Sequence, residues 1–266
     1  MKPADTAGQK LRSPFHFATS SGKIPGVISP ILHGCRCLMK TKLTHLTIRQ
    51  AESPEDLEKL YRFRYRIYVE EMGRHQRYAD HAGRRVEEPL DATAAHFIAV
   101  DGEKIVGCLR WNSGLDTDFG EYVELYQMHR AGPYFPAQCG TTTKVMVAPE
   151  YRRTGLVVRL CQAGYTHARS RGLVADFMDC NPHLEEQFAQ FGYRPYRSRT
   201  EHPEYGDVLP MLLLCPDLEH LQRVRSPLAT IEAAHPRHPE AVDFFHQHVL
   251  NHHHDHRPQA TTFTES

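Results

Sequence analysis

The sequence predicts an α/β fold, a mixed twisted sheet flanked by helices. Three observations predict it. Between 141 and 165 a β-forming run (Thr142, Thr143, Val145, Met146, Val147) gives way, after Pro149, to helical spacing at Leu156, Val157, Leu160, Cys161 and Tyr165. Ahead of it, two β-type runs flank Asp101-Gly102, a hairpin signal. After it, the near-continuous apolar run from Val208 to Cys215 suits a buried strand.

The 266 residues, 40% hydrophobic and 24% charged, suit one domain of ordinary size with tails. We expect a disordered leader over 1–42, a folded domain over 43–225, and a C-terminal helix with a His-rich tail over 226–266. Residues 1–50 hold eight Lys/Arg and one acid, so that segment is +7 and the remainder −7. Pro25 and Pro30 interrupt the only apolar stretch of the leader, which argues against a secretory signal. Met39 is an internal start option. No run reaches the roughly 18 apolar residues of a membrane span. Seven cysteines, several inside predicted elements, read as reduced thiols of a cytoplasmic protein. Cys35 and Cys37 lack a second ligand pair, and the histidines at 252–254 and 256 read as a solvated end, so no metal is expected. The basic excess carries no interleaved aromatics, which argues against nucleic acid.

Leu43, Leu46 and Ile48 predict a first strand. Ser53, Pro54 and Glu55 then give a cap, a proline at the first helical position and a first-turn acid. The helix should run to about Met72 and stop at Gly73. Its apolar stripe is Leu57, Leu60, Tyr61, Tyr68 and Met72, and Arg64 falls inside it. Such an arginine is either a snorkelling stem or a partly buried guanidinium aimed at an anion. Because Leu suits the stripe, Arg64→Leu should keep the fold, with stability intact or raised, and lose activity.

The hairpin pairs Ala95–Val100 with Lys104–Trp111 and places Val106, Cys108 and Arg110 on one face. His96 opens it and reads as structural. Residues 113–138 form an insert with a short helix near Tyr122–His129. The turn at 152–157 opens a long helix, whose first N–H groups and dipole make an anion site, and Gly155 lets a phosphate approach. A strand over Val174–Met178, a helix behind Asn181, the apolar strand, and short helices over 217–224 and 239–250 complete the chain. His202-Pro203-Glu204-Tyr205-Gly206 reads as a turn, or as the bearer of a base in His202.

The segment Arg152-Arg153-Thr154-Gly155-Leu156-Val157, following a strand, resembles the Gln/Arg-x-x-Gly-x-Gly/Ala pyrophosphate signature of the GNAT acyltransferases, with Val157 in place of the last small residue. Phe188 to Gly192-Tyr193 is similar to that family's Tyr-x-x-Leu-Gly-Phe. The resemblance implies a GNAT fold with no tightly bound cofactor. It implies a donor held by Val145, Val147, Arg152, Arg153, Thr154, Gly155, Leu156, Val157 and Asn181.

Further motifs resemble the acyl-homoserine-lactone and N-acyl amino acid synthases over roughly residues 43–225: Arg64 to Tyr68, Glu88-Pro89-Leu90-Asp91, Ile105 to Arg110, and Thr141 to Lys144. This implies transfer of a medium- or long-chain acyl group from acyl carrier protein or acyl-CoA to the amine of a small acceptor such as an amino acid. Arg64, Glu88, Arg110, Lys144 and His202 become the candidate catalytic residues, with Glu88 and His202 as bases. Tyr65, Tyr68, Trp111, Tyr122, Leu125, Tyr126, Met146 and 212–214 are available to line an acyl tunnel. The arginines at 62, 66, 74, 77, 84 and 85 are available to dock an acidic carrier protein. Where lactone synthases have Glu and Arg this chain has Thr141 and Lys144, and Phe188 replaces the acidic Tyr of many acetyltransferases. Two alternatives therefore stand: an acetyl-CoA-dependent acetyltransferase, and a catalytically silent acyl-thioester-binding protein.

Overall fold

The structure, a computed structural model, describes residues 45–251. The expected leader, Leu43, Cys35, Cys37 and the His-rich tail lie outside the described residues.

Strand β1 (Thr47–Gln50) precedes helix α1 (Pro54–Tyr65), where the Ser53 hydroxyl accepts from Asp56 N–H as the cap motif requires. The expected helix to Met72 is continuous, but from Arg66 to Glu71 its bonding is π-type, closed by Met72 N–H to Ile67 O at 3.0 Å. A π-turn inserts one residue into the helical period and so shifts the apolar stripe. A small hairpin, β2 (Ala79–Asp80) and β3 (Arg85–Val86), was not legible in the sequence. Strands β4 (Ala95–Asp101), β5 (Lys104–Ser113) and β6 (Cys139–Val147) fall where expected. The insert holds a shorter helix than expected, α2 (Tyr122–Leu125), followed by 3-10 turns over Met128–Tyr134.

After β6, helix α3 (Leu156–Ser170) begins within the 152–157 turn, as expected. Residues 152–155 form the loop ahead of it, with left-handed φ at Arg153 and Gly155. Then come β7 (Ala175–Cys180), α4 (Glu185–Ala189), β8 (Arg194–Pro195), β9 (Thr200–His202) and β10 (Gly206–Leu214). Helices α5 (Leu218–Arg223), α6 (Ala229–Glu232) and α7 (Pro239–Phe245) end the described chain. The strands form an eight-stranded mixed sheet in the order β1-β4-β5-β6-β7-β10-β8, with β9 beside β10.

The chain divides into two compact units, the first holding residues 45–91, His96–Leu109 and Lys144–Ala163, the second the rest. In the first, β1 pairs antiparallel with β4 from Thr47↔Val100 to Gln50↔Phe97. Gly107 permits close packing of strand on helix: a Cβ there would lie 2.9 Å from Leu160 and 3.1 Å from Met146 O.

In the second unit, β6 pairs parallel with β7 over Cys139↔Ala175 to Thr141↔Phe177. β10 pairs antiparallel with β7, and its residues from Val208 to Leu214 are buried on both faces, as the apolar run predicts. Glu232 of α6 accepts from Arg169 Nε at 2.7 Å and from Tyr165 Oη at 2.8 Å, which fixes the C-terminal segment on α3. Arg130 donates to the carbonyls of His248 and Val249, compensating the last turn after α7. Among the described residues no helix is long and apolar enough to cross a membrane.

Candidate active site

In the first unit the stripe arginine is not a snorkelling stem. Arg64 is fully buried and donates to Asp91 Oδ2 at 2.8 Å and to His96 Nδ1 at 3.2 Å. His96 Nε2 lies 3.2 Å from the Asp91 carbonyl, which can only accept. The two contacts together define a neutral imidazole with its proton on Nε2. Asp91 Oδ2 also accepts the Glu88 N–H at 2.7 Å, so the Arg64–Asp91 pair fixes the backbone from which the Glu88 side chain springs. The expectation that Arg64→Leu leaves stability intact is corrected here. The stripe logic omitted a buried carboxylate that the guanidinium compensates.

Glu88 and Lys144 form a buried ion pair, their side chains 8% and 2% exposed. The ammonium also lies over the Tyr68 ring, 5.1 Å from its centroid. Lys144 adopts φ 53 inside β6, a conformation that non-glycine residues rarely take and that interrupts the strand's alternation. Cys108 Sγ lies 3.3 Å from the Lys144 carbonyl. Burial pushes this thiol up to about 11, with Arg64 partly offsetting, so it is an inert core thiol rather than a nucleophile.

The turn after β6 has the features the anion reading asks for. Gly155 has φ +86, and a Cβ there would meet nothing within 4 Å. The N–H groups of Gly155, Leu156 and Val157 have no backbone acceptor among the described residues, as befits the start of a helix. Leu156 and Val157 turn their side chains into the core, at 1% and 8% exposure. Arg152 does not point outward. It donates to the Val147 carbonyl at 3.0 Å and holds Glu71 at 2.6 and 2.9 Å, pinning the loop to the strand end and to the close of the first helix. Glu71 carried no signal in the sequence, because a helical glutamate is ordinarily solvated. Arg153, exposed and left-handed, and Thr154, whose hydroxyl donates to Tyr151 O at 2.5 Å, complete the loop. Val145 is half-buried and Val147 buried in the strand before it.

The second unit holds the remaining candidates. Arg110 is fully buried, with Nε donating to Thr143 Oγ1 at 2.9 Å, so it is not a surface residue at a strand end. Thr141, standing where lactone synthases carry Glu, is buried, and its hydroxyl finds no partner among the described residues. His202 is buried beside Tyr205, and its Nδ1 accepts the Glu204 N–H at 3.0 Å. A neutral His202 therefore carries its proton on Nε2, where it is a donor rather than a base. Asn181 precedes a 3-10 turn (Pro182–Leu184) but makes no side-chain cap there; its Nδ2 reaches the Tyr205 carbonyl at 3.5 Å. Phe188 packs edge-on against Tyr193. No group of three or more metal-binding side chains comes together among the described residues.

Residues 63–162 match the family described as acetyltransferase (GNAT) domain. Among the solved structures that share the fold are the following three. An N-acyl amino acid synthase from uncultured soil microbes, FeeM, is 14% identical with a TM-score of 0.52, over 70% of this chain and 97% of that one. A CoA-dependent acyl-homoserine lactone synthase, MesI, is 21% identical with a TM-score of 0.53, over 71% and 97%. A second such synthase, BjaI, is 15% identical with a TM-score of 0.55, over 75% and 98%. No curated protein matches the chain in sequence.

Proposed function

From the premise that this chain is an enzyme with a GNAT acetyltransferase domain, we propose that it moves a medium- or long-chain acyl group from a thioester to the amine of a small acceptor such as an amino acid. The donor is acyl-CoA or an acyl carrier protein, and a cytoplasmic setting suits both. The observation that carries the reading is the 152–157 turn: open space at Gly155, together with three N–H groups that have no backbone acceptor among the described residues at the start of α3. The likeness to an N-acyl amino acid synthase and to CoA-dependent lactone synthases supports the acceptor and donor classes.

The amine attacks only when neutral. Glu88 is the residue we assign to take its proton, held in place through Asp91 and facing Lys144. As the N–C bond forms, the carbonyl oxygen gathers charge, which N–H groups of residues 145–147 are assigned to meet. Collapse breaks the C–S bond and releases the thiol. Backbone groups of the same strand would hold pantetheine as an added strand. A silent binding protein is the second reading, favoured by Thr141 and Phe188, which offer neither a carboxylate nor a phenol.

Specificity constants for acetyl-, octanoyl- and palmitoyl-CoA, and for the same groups on holo carrier protein, test the proposal through thiol release with an amino acid pool. Each buried methylene contributes about 0.8 kcal/mol, so octanoyl should outperform acetyl. A preference for acetyl would establish an ordinary acetyltransferase, and binding without release a silent protein.

A further inference from the structure

We infer that a basic pocket in the first unit receives the 3′-phosphate of a coenzyme A donor, so that the chain selects CoA thioesters over carrier-protein thioesters. The inference rests on the donor reading above. The cavity measures about 370 Å³. Its floor is apolar, from Phe63, Tyr65 and Ile105, all buried. Its rim carries five cations, Lys59, Arg62, Arg66, Arg84 and Lys104, against the carboxylates of Glu70 and Glu103.

The cations are not equivalent. Lys59 is paired with Glu55, Arg62 with Glu58 and Arg84 with Glu70. Arg66 and Lys104 meet no carboxylate within ion-pair distance among the described residues. Arg66 is nonetheless held in position, 5.1 Å over the Phe63 ring and 3.4 Å from the Ile105 carbonyl. A guanidinium with five donors, fixed by its stem and neighboured by an ammonium, suits a phosphate monoester.

Place decides which phosphate. The hairpin that supplies Glu103, Lys104 and Ile105 is bonded to the segment that leads into the donor loop: Ala148 N–H donates to the Val106 carbonyl at 2.8 Å, and the Tyr151 hydroxyl meets Asp101. On the other rim, Glu70 is followed by Glu71, which holds Arg152 at 2.6 Å. The pocket thus borders the turn assigned to the pyrophosphate. Coenzyme A carries a pyrophosphate and, on its ribose, a separate phosphate monoester. A carrier-protein thioester has one phosphodiester and no such monoester. Concavity also favours a small group over the convex surface of a docking protein.

Calorimetric titration of the full chain with CoA and with dephospho-CoA tests this, repeated on the double variant Arg66→Gln/Lys104→Gln. Both side chains are exposed, so the variant should fold as the wild type does, checked by circular dichroism. The wild type should bind CoA roughly tenfold or more tightly than dephospho-CoA, a preference that high salt weakens. The double variant should lose that preference while holding dephospho-CoA unchanged. Equal binding of both forms by the wild type overturns the pocket assignment and leaves the donor reading standing. A preference that survives in the double variant does the same. Binding of holo carrier protein but of neither nucleotide overturns the selection of CoA. Binding of none of the three overturns the donor reading itself.

Discussion

Asp91 Oδ2 accepts from the Arg64 guanidinium at 2.8 Å, with neither side chain exposed to solvent. The same oxygen accepts the Glu88 N–H at 2.7 Å. One carboxylate therefore joins the first helix to the turn that carries the proposed base. Arg64 acts on Glu88 through Asp91, as a positioning residue.

Arg64→Leu should accordingly destabilise the fold by about 3–5 kcal/mol, because it leaves a buried carboxylate uncompensated. The double variant Arg64→Leu/Asp91→Asn should recover part of the loss. Urea unfolding of the two variants and the wild type measures it. An unchanged midpoint for Arg64→Leu would show that the pair contributes nothing.

Much of the fold was legible because it rests on local chemistry. Ser53 before Pro54 signals a cap whatever it packs against, and the Val208–Cys215 run signals burial whichever strands flank it. The turn at 152–157 was legible for the same reason. What was not legible depends on distant partners. Arg64 in an apolar stripe reads equally as a stem or as a buried guanidinium until Asp91, 27 positions away, arrives beside it. Arg152 looks like a phosphate ligand until Glu71 takes it, across 81 positions. The left-handed Lys144 has no local signal either, since nothing in Thr143-Lys144-Val145 asks for a strand to be interrupted.

Glu88→Gln keeps size and shape, and it keeps the backbone N–H that Asp91 accepts. It removes only the carboxylate that faces Lys144. If Glu88 takes the proton, turnover should fall about 10²–10⁴-fold with little change in donor affinity, and the acidic limb of the pH–rate profile should disappear. Full turnover in a folded Glu88→Gln protein would exclude Glu88 as the base.

Gly155 separates strain from ligand exclusion. At φ +86 any side chain is strained, by about 1–2 kcal/mol, although space for it is open. Gly155→Ala should therefore lower stability and leave donor binding nearly intact. Gly155→Glu should share that loss and in addition place a negative charge beside the N–H groups of residues 155–157. Donor affinity should then drop at least roughly tenfold relative to Gly155→Ala, and less so at high salt. Calorimetry with the donor on both variants decides it, and equal affinities would remove the loop from the donor site.

Asp176 in β7 gives a prediction about pH. Burial pushes its carboxyl up to about 6 from 3.8, partly offset by the neighbouring polar groups of Thr142, Tyr193 and Trp111. The Tyr193 hydroxyl donates to it at 2.5 Å. Between these two values the native state binds more protons than the unfolded one, so stability from this group falls as pH rises. At about 1.4 kcal/mol per unit, the loss is on the order of 3 kcal/mol by the top of the window. His220 works in the opposite sense. Burial lowers it to about 4 from 6.5, so its native form binds fewer protons and stability rises over nearly the same range. The wild-type profile alone would mix the two. Asp176→Asn preserves the shape, cannot ionise, and leaves His220 in place. The difference between the urea midpoints of wild type and variant, followed from pH 4 to pH 8, therefore isolates Asp176. It should shift in favour of the variant from about pH 4 to about pH 6 and stay level above that. A difference that does not change with pH would mean that Asp176 is ionised throughout, and that the buried carboxyl is compensated by its polar neighbours after all.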